Sequence, residues 1–242
     1  MKKGAYAYLI RHSSMIVMAW GVAALMHTST SAYAFNPMTT LSDIPSRSLD
    51  HAVSNGQSHD NLYKASAAEM GVGAEHFISS MATRALEFLG SAAAQEQKKA
   101  SFRALLNDSF DLETIGRFAL GRYWKTAATQ ERNEYLTLFR KMIVEVYAKR
   151  FGDYKGQKFE TRGHRVDGDK DTIVTSYIIP GDGPEVQVDW RVRYKNRKYQ
   201  IVDVIVEGVS MSVTQRSDFA AVIQRGGGDI QVLLTHLRGG SQ

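Results

Sequence analysis

The hydrophobic period of the chain changes near Gln157, and this change limits the possible folds more than any other feature. Before it, apolar residues recur at the spacing of one helical face. The longest such stripe contains Tyr135, Leu138, Phe139, Met142, Ile143, Val146 and Tyr147. After it, apolar and polar residues alternate, as they do from Glu185 to Tyr194. The first pattern is typical of an amphipathic helix and the second of an antiparallel strand with one wet face.

Capping and turn residues divide the chain into four helices, then four strands, then two more helices. Asp111 is a predicted N-cap, because its carboxylate can accept the free N–H groups of a first helical turn. The predicted helices are 74–89, 95–107, 112–119, 129–151, 212–225 and 229–237. The predicted strands are 157–166, 171–179, 185–194 and 198–206. This order predicts an α+β fold, in which helices pack on one face of a curved four-stranded antiparallel sheet and enclose an apolar cavity.

The N-terminal part of the chain has the features of an export signal. Lys2, Lys3 and Arg11 precede an apolar stretch from Met15 to Met26, and small residues follow up to Ala34. That stretch is shorter than the roughly 20 residues that span a bilayer, which predicts a cleaved signal over residues 1–34. Residues 35–65 are polar and are predicted to be a mobile tail. The folded domain is predicted at 66–238.

Composition excludes several classes of site. The chain has no cysteine, which excludes disulfides and thiolate ligands. Three of its five net positive charges lie in the predicted signal, so the basic character gives little support to nucleic-acid binding. No metal-ligand spacing or nucleophile motif is present, and no cofactor is expected. Asp203 and Glu207 remain a possible acid–base pair, although such groups more often cap a helix.

Three stretches together resemble one family. The first is Phe118–Lys125, which reads FALGRYWK, and the second runs from Tyr147 to Gly156. The third is Val202–Met211, followed by Gln215–Phe219. In this order they resemble the MlaC family, the toluene-tolerance auxiliary component of an ABC-type phospholipid transport system. The related hopanoid-associated HpnM group shares much of the pattern and stays open as an alternative.

The resemblance implies a periplasmic, non-enzymatic phospholipid carrier with a nuclear-transport-factor-two-like α+β cone. Such proteins shuttle lipid between an outer-membrane lipoprotein–porin complex and the MCE-domain subunit of an inner-membrane ABC transporter, and so maintain outer-membrane lipid asymmetry. Other hypotheses remain open at this point. They are an adaptor that bridges envelope complexes without carrying lipid, and a hydrolase on the same fold that uses Asp203.

An apolar and adaptable lining suits acyl chains, and three regions are predicted to supply it. From the long helix these residues are Tyr135, Phe139, Met142, Ile143, Val146 and Tyr147. From the apolar face of the sheet they are Val188, Trp190 and Val192. Ile115, Phe118, Tyr123 and Trp124 are expected to close one end. Ordinary core packing is the alternative for each of these side chains.

Overall fold

The computed structural model describes residues 56–239, with side chains from residue 69 onward. The predicted signal, its cleavage after Ala34 and most of the predicted tail lie outside these residues. The first helix begins at Gly56, so residues 56–65 are helical where the sequence predicted tail. The polar composition of this segment hid the helix, since it offers no apolar stripe.

Seven helices are described in this part of the chain. They are α1 (Gly56–Gly90), α2 (Gln95–Ser109), α3 (Leu112–Leu120), α4 (Tyr123–Thr126), α5 (Thr129–Ala148), α6 (Met211–Arg225) and α7 (Ile230–Gly239). A short 3₁₀ turn at Phe151–Asp153 follows α5. The predicted cap of α3 is confirmed, because the Asp111 carboxylate accepts a hydrogen bond from the Thr114 amide at 2.9 Å.

The sheet is an antiparallel meander in the order β1-β2-β3-β4-β5. Its strands are β1 (Lys158–Asp167), β2 (Asp171–Ile179), β3 (Val186–Lys195), β4 (Lys198–Val206) and β5 (Val209–Ser210). Asn196 and Arg197 both have positive φ and join β3 to β4 in a two-residue hairpin. The α+β prediction is confirmed, with a fifth strand of two residues that was too short to leave a periodic signal.

The helices cover one face of the sheet in two steps. Helix α1 packs directly on β1, β2 and β3, while α2, α3 and α6 pack on β4. Helix α5 packs on α2, α3 and α7. Helix α5 is thereby held above the sheet by other helices. No helix in residues 56–239 is both long and apolar enough to cross a membrane.

Candidate functional site

A cavity of about 570 Å³ lies between the sheet and the helical layer. Ligand cavities typically have volumes of roughly 300–1,000 Å³, so this one is of the usual size. Its walls come from α1, α2, α3, α5, α6, α7 and the strands β3 and β4, and most of them are apolar. The apolar lining includes Met81, Phe88, Phe102, Leu105, Leu106, Ile115, Phe139, Met142, Ile143, Val146, Trp190, Phe219 and Val222.

Trp190 of β3 forms part of the cavity floor and is fixed by a hydrogen-bond relay. Its indole N–H donates to the Ser176 hydroxyl at 2.8 Å, and that hydroxyl donates to the Val188 carbonyl at 2.9 Å. All three residues are buried. The indole N–H therefore has a partner inside the sheet and turns only apolar ring surface toward the cavity.

An aromatic cluster lines one end of the cavity. Phe102 of α2 contacts Phe151 with ring centroids 5.4 Å apart and Tyr147 of α5 at 5.9 Å. Phe88 of α1 meets Phe151 at 6.0 Å. Burial raises the pKa of the Tyr147 hydroxyl further above its ordinary value, so this side chain is neutral at physiological pH. Rings from three helices and the 3₁₀ turn thus form an uncharged, apolar wall.

The cavity reaches solvent between α5 and α6. Val146 of α5 lines it with 37% of its surface exposed. Ala221 and Arg225 of α6 also line it and are exposed, as is Arg150 just after α5. An apolar interior with charged residues at the opening can hold the tails of an amphiphile while its polar end remains in water.

Two aspartates belong to the lining, and their environments differ. Asp203 accepts hydrogen bonds from the Ser212 amide at 3.1 Å and from the Ser210 hydroxyl at 2.6 Å. It therefore fixes the start of α6 and is occupied structurally. Asp218 lies half-buried on α6, and burial raises the pKa of its carboxyl, an effect that the nearby Arg225 partly offsets.

Comparison with known proteins identifies the family. The model of the MlaC protein family matches residues 79–239, which is most of the chain and includes every residue that lines the cavity. The chain belongs to the MlaC family.

One curated member of the MlaC family is the intermembrane phospholipid transport system binding protein MlaC of Haemophilus influenzae. It is 25% identical to this chain over 132 residues, which cover 53% of this chain and 61% of the relative. The chain thus matches less than two thirds of the length of that relative.

A solved structure has the same fold. It is a phospholipid-binding protein from Ralstonia solanacearum, determined in complex with a phospholipid. It aligns with a TM-score of 0.61 at 21% identity and covers 69% of this chain and 96% of its own. At this identity the similarity establishes the α+β fold that the sequence predicted.

Seven of the thirteen residues predicted from the sequence line the cavity of this MlaC-family chain. They are Ile115, Phe139, Met142, Ile143, Val146, Tyr147 and Trp190. Most of them lie in the second half of α5, one of the three regions that the sequence predicted to supply the lining. Whether these side chains contact a ligand stays a prediction.

Three of the other predicted residues are core residues, and for them the prediction was wrong. Tyr135 is fully buried and donates a hydrogen bond to the Gly116 carbonyl at 2.9 Å. Val188 and Val192 lie in a closed cluster with Ile78 and Ile201. In each case another element packs directly against the side chain and leaves no open space.

The remaining three, Phe118, Tyr123 and Trp124, lie outside the cavity, so their prediction was also wrong. The Arg216 guanidinium stacks 5.2 Å from the centroid of the Phe118 ring, and Arg117 lies 5.4 Å from that of Trp124. Phe118 is 41% exposed. Gly121, with a φ of 60°, ends α3, and the following Tyr123 and Trp124 are half-buried against a core cluster that includes Leu120 and Tyr135.

The sequence missed the walls supplied by α1, α2 and α6. Met81, Ala85, Phe88 and Leu89 belong to the helix predicted at 74–89, yet that helix was assigned to no site. A helical stripe is the same whether it packs on protein or borders a cavity, so only long-range contacts distinguish the two. No sequence motif marked the polar lining residues Gln215, Asp218 and Arg225 as part of a site.

Other acidic residues of the sheet and of the turn that follows it, including Glu207, which was considered above for acid–base catalysis, have structural partners. Asp171 pairs with Arg193 at 2.7 Å, and Asp167 pairs with Arg191. Glu207 accepts a hydrogen bond from the Gln187 amide. Within residues 56–239, no group of three or more His, Asp or Glu is arranged to hold a metal ion.

Proposed function

We propose that this protein is a periplasmic carrier that binds one phospholipid, with its acyl chains in the cavity and its head group at the opening between α5 and α6. The observation that carries the proposal is the apolar cavity with a solvent-facing opening flanked by charged residues. Membership of the MlaC family supports it, as does the fold shared with a phospholipid-binding protein.

The free energy of transferring acyl chains explains why a carrier needs such a cavity. Each methylene contributes about 0.8 kcal/mol when it is removed from water. Two chains of ordinary length therefore face a barrier of some tens of kcal/mol to crossing an aqueous space. A protected apolar cavity lowers that barrier, whereas the head group is hydrated throughout and needs no enclosure.

The proposal includes the place of the protein in the envelope. The expected signal cleavage after Ala34 would release the chain into the periplasm. We propose that it receives or delivers lipid at an outer-membrane lipoprotein–porin complex and at the MCE-domain subunit of an inner-membrane ABC transporter. We further propose that it acts without catalysis, since Asp203, the one acid considered for catalysis that reaches the cavity, is hydrogen-bonded at the start of α6.

Lipid extraction with a cavity-filling variant tests this function. We expect glycerophospholipid at about one molecule per chain in organic extracts of the purified protein, quantified by mass spectrometry. Val146→Trp places a large ring at the opening of the cavity, and overfilling typically costs about 1–3 kcal/mol. We therefore expect its lipid content to fall several-fold.

Val213→Trp is the matched control for this experiment. Val213 is also an exposed helical valine, at 51%, but it does not line the cavity. It should retain the lipid content of the unsubstituted protein. Extracts without lipid would rule out the carrier and favour a bridging adaptor, whereas equal lipid in both variants would mean that the lipid is not held in this cavity. A polycyclic triterpenoid in place of a phospholipid would indicate the hopanoid branch.

A further inference from the structure

The charged lining residues differ in whether the protein already provides them with a partner. Asp203 is occupied by the start of α6, and Arg150 lies 3.6 Å from Asp153. Asp218 and Arg225 are different, because neither forms an ion pair within 4.0 Å with any residue that the structure describes. A cation and an anion at the mouth of one cavity are thus left available to a ligand.

These two residues lie on the same face of α6. Asp218, Ala221, Val222 and Arg225 are spaced i, i+3, i+4 and i+7, and all four line the cavity. Asp218 and Arg225 are separated by about 10 Å along the helix axis. The Arg225 side chain folds back toward Asp218, since its Nε donates to the Ala221 carbonyl at 3.2 Å. This bond uses only Nε, and no hydrogen bond joins either terminal amino group of the guanidinium to a residue that the structure describes.

Charge and burial make the pair suited to a ligand with two opposite charges. Their positions on one face of α6 and the folded-back Arg225 side chain bring the two charges toward each other, and Arg225 partly offsets the raised pKa of Asp218. The guanidinium can donate two hydrogen bonds to one phosphate, which is the geometry that arginine favours. The half-buried carboxylate can accept hydrogen bonds from an ammonium group.

We infer that the mouth of the cavity is a head-group site for a zwitterionic phospholipid with a primary amine, in which Arg225 binds the phosphate and Asp218 binds the ammonium. This inference rests on the proposed carrier function and adds head-group selectivity to it. A phosphoglycerol head offers Arg225 the same phosphate but leaves Asp218 without a cation. Diacylglycerol offers neither charge.

Uptake from mixed vesicles tests the inference. The delipidated protein is incubated with vesicles that contain phosphatidylethanolamine and phosphatidylglycerol in equal amounts and a minor share of diacylglycerol, all with the same acyl chains. Bound lipid is then quantified by mass spectrometry. Exposed ion pairs are weak, so we expect a preference of about threefold to fivefold for phosphatidylethanolamine over phosphatidylglycerol.

Two substitutions separate the two contacts. Asp218→Asn should bring the ratio of the two phospholipids close to one while total uptake is largely retained. Arg225→Gln should lower both phospholipids relative to diacylglycerol. Asp182→Asn and Arg140→Gln are matched controls, because both residues are exposed and neither lines the cavity. They should change neither ratio.

The outcomes distinguish the inference from the proposed function. If the unsubstituted protein takes up no lipid of any class, the carrier function fails and the head-group site fails with it. If it takes up lipid but Asp218→Asn leaves the phospholipid ratio unchanged, the head-group site alone is overturned. The same holds if Arg225→Gln leaves the share of diacylglycerol unchanged.

Discussion

The two halves of helix α5 have the same apolar pattern but different surroundings. In the first half, the Tyr135 ring is enclosed by Phe139 and by Phe219 of α6, with centroid separations of 5.7 and 5.9 Å. Phe139 lies at the boundary between the halves, since it also lines the cavity. In the second half, Met142, Ile143 and Val146 border the cavity. Helices α6 and α7 close over the first half, while the second half faces open space. An apolar stripe thus becomes core or binding wall according to what lies opposite it.

Truncation in the two halves should have unequal effects on stability, and this is the largest effect expected. Tyr135→Ala removes a fully buried ring and leaves the Gly116 carbonyl without its donor, so we expect a loss of about 3–5 kcal/mol in the free energy of unfolding. Met142→Ala should cost about 1 kcal/mol in the lipid-free protein, because its side chain already borders a cavity. Urea unfolding of both variants measures the difference.

Tyr135→Phe is the matched control for Tyr135→Ala. Tyr135→Phe retains the ring and loses only the hydroxyl, so its cost separates the hydrogen bond from the packing. Equal losses for Tyr135→Ala and Met142→Ala would mean that the two halves of α5 are equally packed, against the description given above.

The floor of the cavity offers a second way to sharpen the comparison. Ser176→Ala leaves the Trp190 indole N–H buried without an acceptor, which should cost about 1–3 kcal/mol. In a Trp190→Phe background no indole N–H is present, so the same substitution should cost less. The difference, measured by urea unfolding in a double-mutant cycle, gives the coupling energy of the two side chains. Additive costs would mean that the relay does not fix the ring.

The smallest expected effect on stability concerns Asp218, at the opening of the cavity. Burial holds the pKa of Asp218 above its ordinary value of 3.8, so the folded protein binds this proton more tightly than the unfolded chain does. Stability from this group is therefore present at low pH and is lost as the pH rises through the raised pKa. Asp218→Asn should stabilise the protein at pH 7 by no more than about 0.5 kcal/mol, and by less at pH 4. Chemical denaturation at both pH values tests the sign, and a loss of stability at pH 7 would contradict it.

Local features made much of the fold predictable. The cap at Asp111, the turn at Asn196 and Arg197 and the alternation through β3 each depend on neighbours in sequence. Strand boundaries predicted from these signals therefore agree closely with the structure. The helix that starts at Gly56 was missed over its first residues because they are polar.

The cavity was only partly predictable, because it depends on contacts between distant segments. Tyr135 and Met142 belong to one stripe, and what separates them is the arrival of Phe219 from a helix some 80 residues later. Phe118 lies on the exposed side of α3, and Trp124, after the bend at Gly121, packs against a separate core cluster. Neither effect leaves a trace in local periodicity.

Photocrosslinking tests the central claim most directly. A phosphatidylethanolamine with a diazirine at the end of one acyl chain is loaded into the protein, irradiated and mapped by peptide mass spectrometry. The account predicts adducts on the cavity walls, in peptides that contain Phe88, Phe102 or Met142, and none on the surface turn at Tyr123 and Trp124. Adducts confined to that turn, or no adducts with bound lipid present, would contradict it.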